Sequence, residues 1–359
     1  MKVLIDLIHP ANIHYFKNFI FSSKDKGHKI IITARDKDVL QKLLKEYELS
    51  YHTMGKGIIG KGASGKMLYL IYAFFLMFFY LLKYRPQIVL SFGSTPCAIA
   101  SCLLRIPHIA FEDTEHAKLN RKLYVPFTKL IATPSCFYEE IGKKHFRFKG
   151  YMELFYLHPK RFKPDETILE KLNVKKGESY ILFRFVSWGA FHDIGQKGIN
   201  TDEKIKLVEY FRKKYKIFIS SEGELPESLK KFQLKVPSIQ LHNVLAFSKL
   251  YIGEGGTMAS EAAMLGIPSV YVNSLPLMGY LKDCRDCGLL HHLSDFRDVI
   301  NVSEKILTRD DYVSFYTDSR KKLLENKIDP TALLEWLIEN YPQSKNILLK
   351  NPDYQMRFK

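Results

Sequence analysis

Short apolar runs alternate with longer amphipathic stretches along almost the whole chain, and no other feature restricts the fold as tightly. In the first half the runs are Val3–Ile8, Lys29–Thr33, Gln87–Phe92, His108–Phe111 and Lys129–Ala132, with a weaker one near Ser50–His52. Helical stretches fall between them, among them Asn12–Lys26 and Lys37–Glu46. Such alternation indicates parallel strands joined by helical crossovers. The rhythm breaks over residues 149–178, which are rich in Pro, Gly and Lys, and then resumes with Tyr180–Phe185, Lys216–Ser220, Leu250–Gly253 and Ser269–Val272. The expectation is an α/β chain of two Rossmann-like domains, residues 1–150 and 179–330, facing each other across a cleft and joined by a linker over 151–178. The last helical stretches are Asp310–Glu325 and Thr331–Tyr341. Residues 331–359 are expected as a C-terminal helix and tail with room to return to the first domain, loosely held after Pro342.

The segment Leu250 to Val270 reads as a strand, a glycine turn at Gly255-Gly256-Thr257, a helix of small residues, and a Gly266-Ile267-Pro268 turn into the next strand. Glycines let a backbone approach an anion closely, and the helix start offers free N–H groups at the positive end of the dipole. Thr257 adds a hydroxyl. Glu261, one turn into the helix, suits a carboxylate accepting from two ribose hydroxyls. An ordinary strand–turn–helix would use Gly255 and Gly256 only to make the turn.

The whole string resembles the donor-site motif of GT-B-fold proteins, notably MurG-type glycosyltransferases and UDP-N-acetylglucosamine 2-epimerases. The resemblance implies that Gly255, Gly256 and Thr257 bind a diphosphate and Glu261 a ribose. Glu254 departs from it, since the MurG-like pattern has Ser there. A carboxylate beside a diphosphate repels it, so Glu254 is expected to point away or to serve another role. His9-Pro10-Ala11-Asn12 through Lys17 falls where MurG-like enzymes place an acceptor loop. The run from Ser91-Phe92-Gly93-Ser94-Thr95 through Ile106-Pro107 to Glu112 matches a second stretch of that superfamily. Pro10, Asn12, Ser94 and Thr95 are therefore assigned to the acceptor side. With Phe183 to Trp188, the chain over nearly its full length resembles a little-characterised GT-B-like family designated a domain of unknown function.

Sugar transfer needs a base for the acceptor proton and positive charge or dipoles for the departing diphosphate. His14, on the loop after the first strand, is the first choice of base because its pKa suits proton transfer near neutrality. Helix capping or a core hydrogen bond fits it equally well. Glu112 and Asp113, in the run Glu112-Asp113-Thr114-Glu115 at the end of a strand, are the rivals, and a plain acidic surface loop explains that run too. Arg184 closes the first strand of the second domain and is placed at the diphosphate, with Lys197 beside it. Glu222 is placed near the nucleotide base or sugar. The helix start at Gly256 can serve the departing diphosphate by its dipole alone, so neither a metal nor a separate cofactor is expected. Cys284 and Cys287 form one C-x-x-C without a second pair, which reads as a reduced structural pair.

Met67–Leu82 carries no charge over sixteen residues and is bracketed by Lys66 and Lys83. As a helix this run is shorter than the ~20 residues a bilayer crossing needs. Crossing would also separate two strands that one sheet requires. Its tyrosines and flanking Lys56, Lys61, Lys66, Lys83 and Arg85 instead suggest contact with an anionic membrane surface through Phe74, Phe75, Phe78 and Phe79. A protein–protein patch is the alternative.

Across the chain, 54 Lys and Arg outnumber 38 Asp and Glu, which favours anionic ligands or surfaces, yet no nucleic-acid module appears. The N-terminus lacks a charged n-region and cleavage site, so a cytoplasmic protein, peripheral on the inner face of the membrane, is expected. The resulting expectation is a metal-independent glycosyltransferase moving sugar from a nucleotide sugar, with UDP by resemblance, to a lipid-linked or glycan acceptor. A sugar-nucleotide 2-epimerase and a non-catalytic sugar-nucleotide-binding subunit are the rivals.

Overall fold

The computed structural model describes residues 1–56, 62–186 and 198–359. Lys61, Ser187, Trp188 and Lys197 lie outside the described residues. Two compact units divide the chain: Met1–Arg161 with Asn326–Lys359, and Phe162–Glu325.

The first unit opens β1 (Lys2–Leu7), α1 (Pro10–Asp25), β2 (Lys29–Ala34), α2 (Asp38–Glu46) and β3 (His52–Thr53). It continues α3 (Gly62–Tyr84), β4 (Ile88–Phe92), α4 (Thr95–Leu103), β5 (His108–Phe111) and α5 (Lys118–Tyr124). A 3₁₀ turn, Val125–Phe127, leads to β6 (Leu130–Pro134), β7 (His145–Phe148) and α6 (Leu154–Leu157). The strands form one parallel sheet in the order β3-β2-β1-β4-β5-β6-β7. From β1 the chain winds outward through α1 and α2, then crosses back through α3 and winds the other way through α4 and α5. Right-handed crossovers therefore put α1 and α2 on one face and α3, α4 and α5 on the other.

The second unit runs α7 (Thr167–Lys171), β8 (Tyr180–Phe185), α8 (Thr201–Phe211), β9 (Lys216–Ser221), α9 (Glu227–Lys230) and α10 (Leu241–Ala246). After these come β10 (Leu250–Gly253), α11 (Gly256–Leu265), β11 (Ser269–Val272), α12 (Gly279–Asp286), β12 (Leu290–Leu293), α13 (Val299–Leu307) and α14 (Tyr312–Leu324). Its parallel sheet has the order β12-β11-β10-β8-β9. The chain ends in α15 (Pro330–Glu339), α16 (Gln343–Lys350) and a 3₁₀ turn, Pro352–Phe358, all in the first unit.

Three expectations need correction. Residues 151–161 belong to the first unit, because Leu154, Phe155, Tyr156 and Leu157 are buried there. The Pro and Gly content around them hid that apolar run. The tail is not loose: Trp336 stacks on Tyr354 at 4.8 Å, and the buried Gln355 side chain donates to Arg147 O at 3.2 Å and accepts from the Lys149 N–H. Finally, the apolar helix is 23 residues long, about 34 Å. By length and composition it is able to cross a membrane. What argues against a crossing is packing: Tyr69, Ala73, Met77 and Leu81 are buried against Leu4, Ile31, Val89 and Cys97 of the sheet and α4. Phe75 and Phe79 are 64% and 54% exposed. Phe74 and Phe78, expected with them at the membrane, pack partly buried against that core cluster.

Candidate functional site

In open parallel sheets, ligands bind at the carboxyl ends of strands where the winding direction reverses. In the second unit that point lies between β8 and β10, whose ends pair Arg184 with Gly253. The turn after β10 is held closely from below. A Cβ on Gly253 would stand 2.3 Å from the Tyr251 hydroxyl and 3.0 Å from Arg184 Cβ, so only glycine fits. Gly255 is the N-cap of α11 and has no side chain to cap it, so among the described residues no N-cap side chain accepts from the first N–H groups of α11. At the other end, Gly266 closes α11 at φ +81, against the Arg320 side chain.

Glu261 is buried in α11 and pairs with the buried His242 of α10, Nε2 to Oε1 at 3.1 Å. The pair fixes the direction of the carboxylate. Glu254 does point away from the turn, into the unit's interior. Its Oε1 accepts from the Ile199 N–H at 2.7 Å and its Oε2 from the Val186 N–H at 3.2 Å, with Lys204 Nζ 3.6 Å away. A carboxylate so neutralised leaves the turn open to an anion. Arg184 is held by the Ser220 hydroxyl at 2.7 Å and by Glu222 at 2.6 Å, so these two sequence-assigned residues form one ion pair across the ends of β8 and β9. Thr257 sits partly exposed in the first turn of α11.

In the first unit the reversal lies between β1 and β4. The residues assigned to the acceptor side gather there, but their polar groups are already engaged. Pro10 is the first residue of α1. Asn12 Oδ1 accepts from the N–H groups of Ile8 and His9 at 3.1 and 2.9 Å and so ties the turn down. Ser94 and Thr95 are buried at the start of α4. Asn120 joins that loop to α5 by donating to Gly93 O at 3.0 Å and accepting from Thr95 Oγ1 at 3.4 Å. Gly93 has φ +60, and a Cβ there would stand 3.1 Å from the Tyr124 ring.

Glu112 is beside this loop. It accepts from the N–H groups of Asp113 and Thr114 and from the Tyr124 hydroxyl, at 3.0 to 3.1 Å. Burial raises its pKa, and these donors oppose the rise. The pKa of Asp113 is raised well above the usual carboxylate range, first by burial and then by Glu112 and Glu153. Glu153, just before α6, was not picked out in the sequence. Forty residues separate it from Asp113, and no local pattern links them. His14 is placed differently from the expectation. It stands inside α1 rather than in a loop, 3.4 Å from the Tyr47 hydroxyl, with its ring 5.3 Å from that of Tyr156. Cys284 is buried in α12, and Cys287, which closes that helix, is half-buried. Among the described residues, no three His, Cys, Asp or Glu side chains are grouped to hold a metal ion.

Residues 1–338 match the family described as "Protein of unknown function (DUF354)". The chain belongs to that family. This DUF354 chain is 27% identical over 354 residues to the Uncharacterized protein MJ0665 of Methanocaldococcus jannaschii, covering 95% of its own length and 98% of the relative. It is similar to the solved UDP-GlcNAc 2-epimerase from Neisseria meningitidis bound to UDP-GlcNAc, with TM-score 0.64 and 13% identity over 98% and 99% of the two chains. It is similar to the spinosyn rhamnosyltransferase SpnG complexed with spinosyn aglycone, with TM-score 0.65 and 14% identity over 95% and 100%. The UDP-GlcNAc 2-epimerase from Methanocaldococcus jannaschii aligns with TM-score 0.58 and 15% identity over 90% and 99%. At these identities the likeness shows the fold, and this DUF354 chain has the GT-B fold.

Proposed function

We propose that the protein is a glycosyltransferase that takes a sugar from a nucleotide sugar bound by the second unit and passes it to a lipid-linked or glycan acceptor at the inner face of the membrane. The observation that carries the donor half is the uncapped start of α11 at the reversal of the sheet, followed one turn later by Glu261 held by His242. Solved proteins of the same fold bind UDP-GlcNAc and thymidine diphosphate, which supports a nucleoside-diphosphate sugar. In this reading the N–H groups of α11 stabilise the departing diphosphate, and no metal is called on. Asp113, which stands close to Glu112 and Glu153 after β5, is the candidate for taking the acceptor proton, with Glu112 and His14 as the alternatives. The acceptor half rests on the exposed apolar side of α3.

A second reading, a sugar-nucleotide 2-epimerase, draws on the same Asp113, since carboxyl groups of raised pKa also serve proton abstraction from carbon. Titration calorimetry with UDP tests the donor site that both readings share. Glu261→Ala is expected to lose about 1.5–3 kcal/mol of UDP affinity, the usual worth of a hydrogen bond to a charged group. Circular dichroism checks that the variant, which leaves His242 without its carboxylate, still folds. Wild-type protein that ignores UDP and other nucleoside diphosphates would remove the proposal.

A further inference from the structure

Helix α3 is not the only apolar element on its side of the first unit. It packs against α4, and α4 packs in turn against α5 and the turn Val125–Phe127. Each of these neighbours also turns large apolar side chains outward. Leu103 at the end of α4 is 62% exposed, and Leu119 and Leu123 of α5 are 76% and 44% exposed. Phe127 is exposed in the turn that follows. The layer thus presents one apolar side across three helices, where scattered single exposures would need no explanation.

Charge follows the same division. No Asp or Glu occurs between Glu48 and Glu112, or between Glu115 and Glu139, the stretches that contain all of α3, α4 and α5. Lys66, Lys83, Arg85, Arg105 and Lys122 do occur there. Lys118 is paired with Glu139 at 2.9 Å, at the border of the layer. The opposite face differs, since α1 and α2 carry Asp25, Asp38 and Glu46, and α15 brings Glu335 and Glu339 to it. A surface that is apolar and whose own three helices carry no acidic residue matches a partner with an apolar interior and anionic headgroups. A polyanion without apolar groups would satisfy the charges and leave the leucines in water.

We infer that the outward side of the α3–α4–α5 layer is one continuous docking surface for an anionic lipid bilayer, with α5 and the end of α4 seated in it together with α3. Apolar side chains enter the headgroup region while Lys83 and Lys122 remain with the phosphates. The inference rests on the membrane reading of α3 above and extends it to elements that reading does not require.

The test uses the full chain in co-sedimentation with phosphatidylglycerol–phosphatidylcholine vesicles and with phosphatidylcholine alone. Wild type is expected to pellet with the anionic vesicles only. Leu119→Ser with Leu123→Ser should weaken binding at least about tenfold. Lys122→Glu should weaken it at least about fivefold at low salt, because each basic residue near such a surface contributes a factor of that size. All three side chains are exposed, so circular dichroism should be unchanged. If the α5 variants sediment like wild type while Phe75→Ser with Phe79→Ser does not, the extended surface is overturned and α3 alone remains. Wild type left in the supernatant overturns both. Equal binding to neutral vesicles overturns the charge argument. A solution dimer dissolved by Leu119→Ser would make a second copy the occupant and overturn the lipid assignment.

Discussion

Helices α1 and α3 lie on opposite faces of one sheet, and each buries an apolar stripe against it: Ile13, Phe16 and Ile20 in α1, and Tyr69, Ala73, Met77 and Leu81 in α3. Their outward sides have different fates. That of α1 is polar apart from the exposed Phe21, and the unit's own chain covers part of it. Asn18 donates to Phe155 O at 2.8 Å, Ser22 to Glu335 at 2.8 Å, and Lys26 reaches Glu335 and Glu339. That of α3 carries Met67, Leu68, Ile71, Phe75 and Phe79 in the open. A flanking helix normally needs one apolar stripe, and α3 has two. The inner stripe serves the fold. The outer stripe does nothing for it within the unit, which is why a partner is the physical reading.

The sharpest way to break this comparison is to remove one side chain from each stripe of α3. Met77→Ala opens a cavity in the cluster with Leu4, Ile31 and Val89, and should cost about 2–5 kcal/mol in urea unfolding. Phe75→Ser, on the outer stripe, should change stability by no more than about 0.5 kcal/mol. Equal losses would mean that the outer stripe is packed, and the distinction between the two would fall.

The two stripes also show what was legible in the sequence. An uncharged run without a polar side reads directly from composition, and so does the alternation that makes both sheets. Which phenylalanines face outward does not. Phe74 and Phe75 are adjacent and identical in chemistry, and only the direction of the helix against β1 and β4 separates them. At the candidate donor site, the glycine turn and Glu261 are local in sequence and so are legible as a motif. His242 is not, because the pair is made by packing α10 against α11 across nineteen residues. Glu254 was readable as an anomaly only. Its resolution needed Val186 and Ile199 N–H groups that no spacing rule connects to it.

A pH experiment sharpens the inner side of the same layer. His108 of β5 is buried between Ser91 and Thr128, at 2.8 and 2.9 Å. Thr128 Oγ1 donates to Tyr124 O, so it must accept the proton on His108 Nδ1. The other ring nitrogen then accepts from Ser91, and a second proton has no place. Burial accordingly pushes the pKa down to about 3 from the ordinary 6.5. Between those values the unfolded chain holds a proton that the folded chain lacks, so stability is full above about pH 6.5 and falls with acid. The contribution within the window is about 1.4 kcal/mol per pH unit. The carboxylates titrate in the same range, so the measurement is the difference between wild type and His108→Gln by urea unfolding from pH 7 to pH 4. Wild type should lose more of its stability over that range. Parallel curves would show that His108 accepts its second proton inside the fold.

The smallest effect concerns the cover on α1. Lys26 bridges Glu335 and Glu339 at 3.2 and 2.8 Å, but its side chain is 44% exposed. Exposed pairs contribute about 0–1 kcal/mol, because water screens them and ordering the lysine costs entropy. The buried Leu333, Leu334 and Leu337 of α15 offer a stronger attachment, since apolar burial of a leucine is worth about 1.5–3 kcal/mol. Lys26→Ala should therefore lower stability by less than about 1 kcal/mol, and salt should shrink that difference. A larger loss, or detachment of the C-terminal helices detected by limited proteolysis, would mean that charge holds the cover in place. The outward sides of α1 and α3 would then differ in the kind of force that covers them, and charge would be the force to look for first on α3 as well.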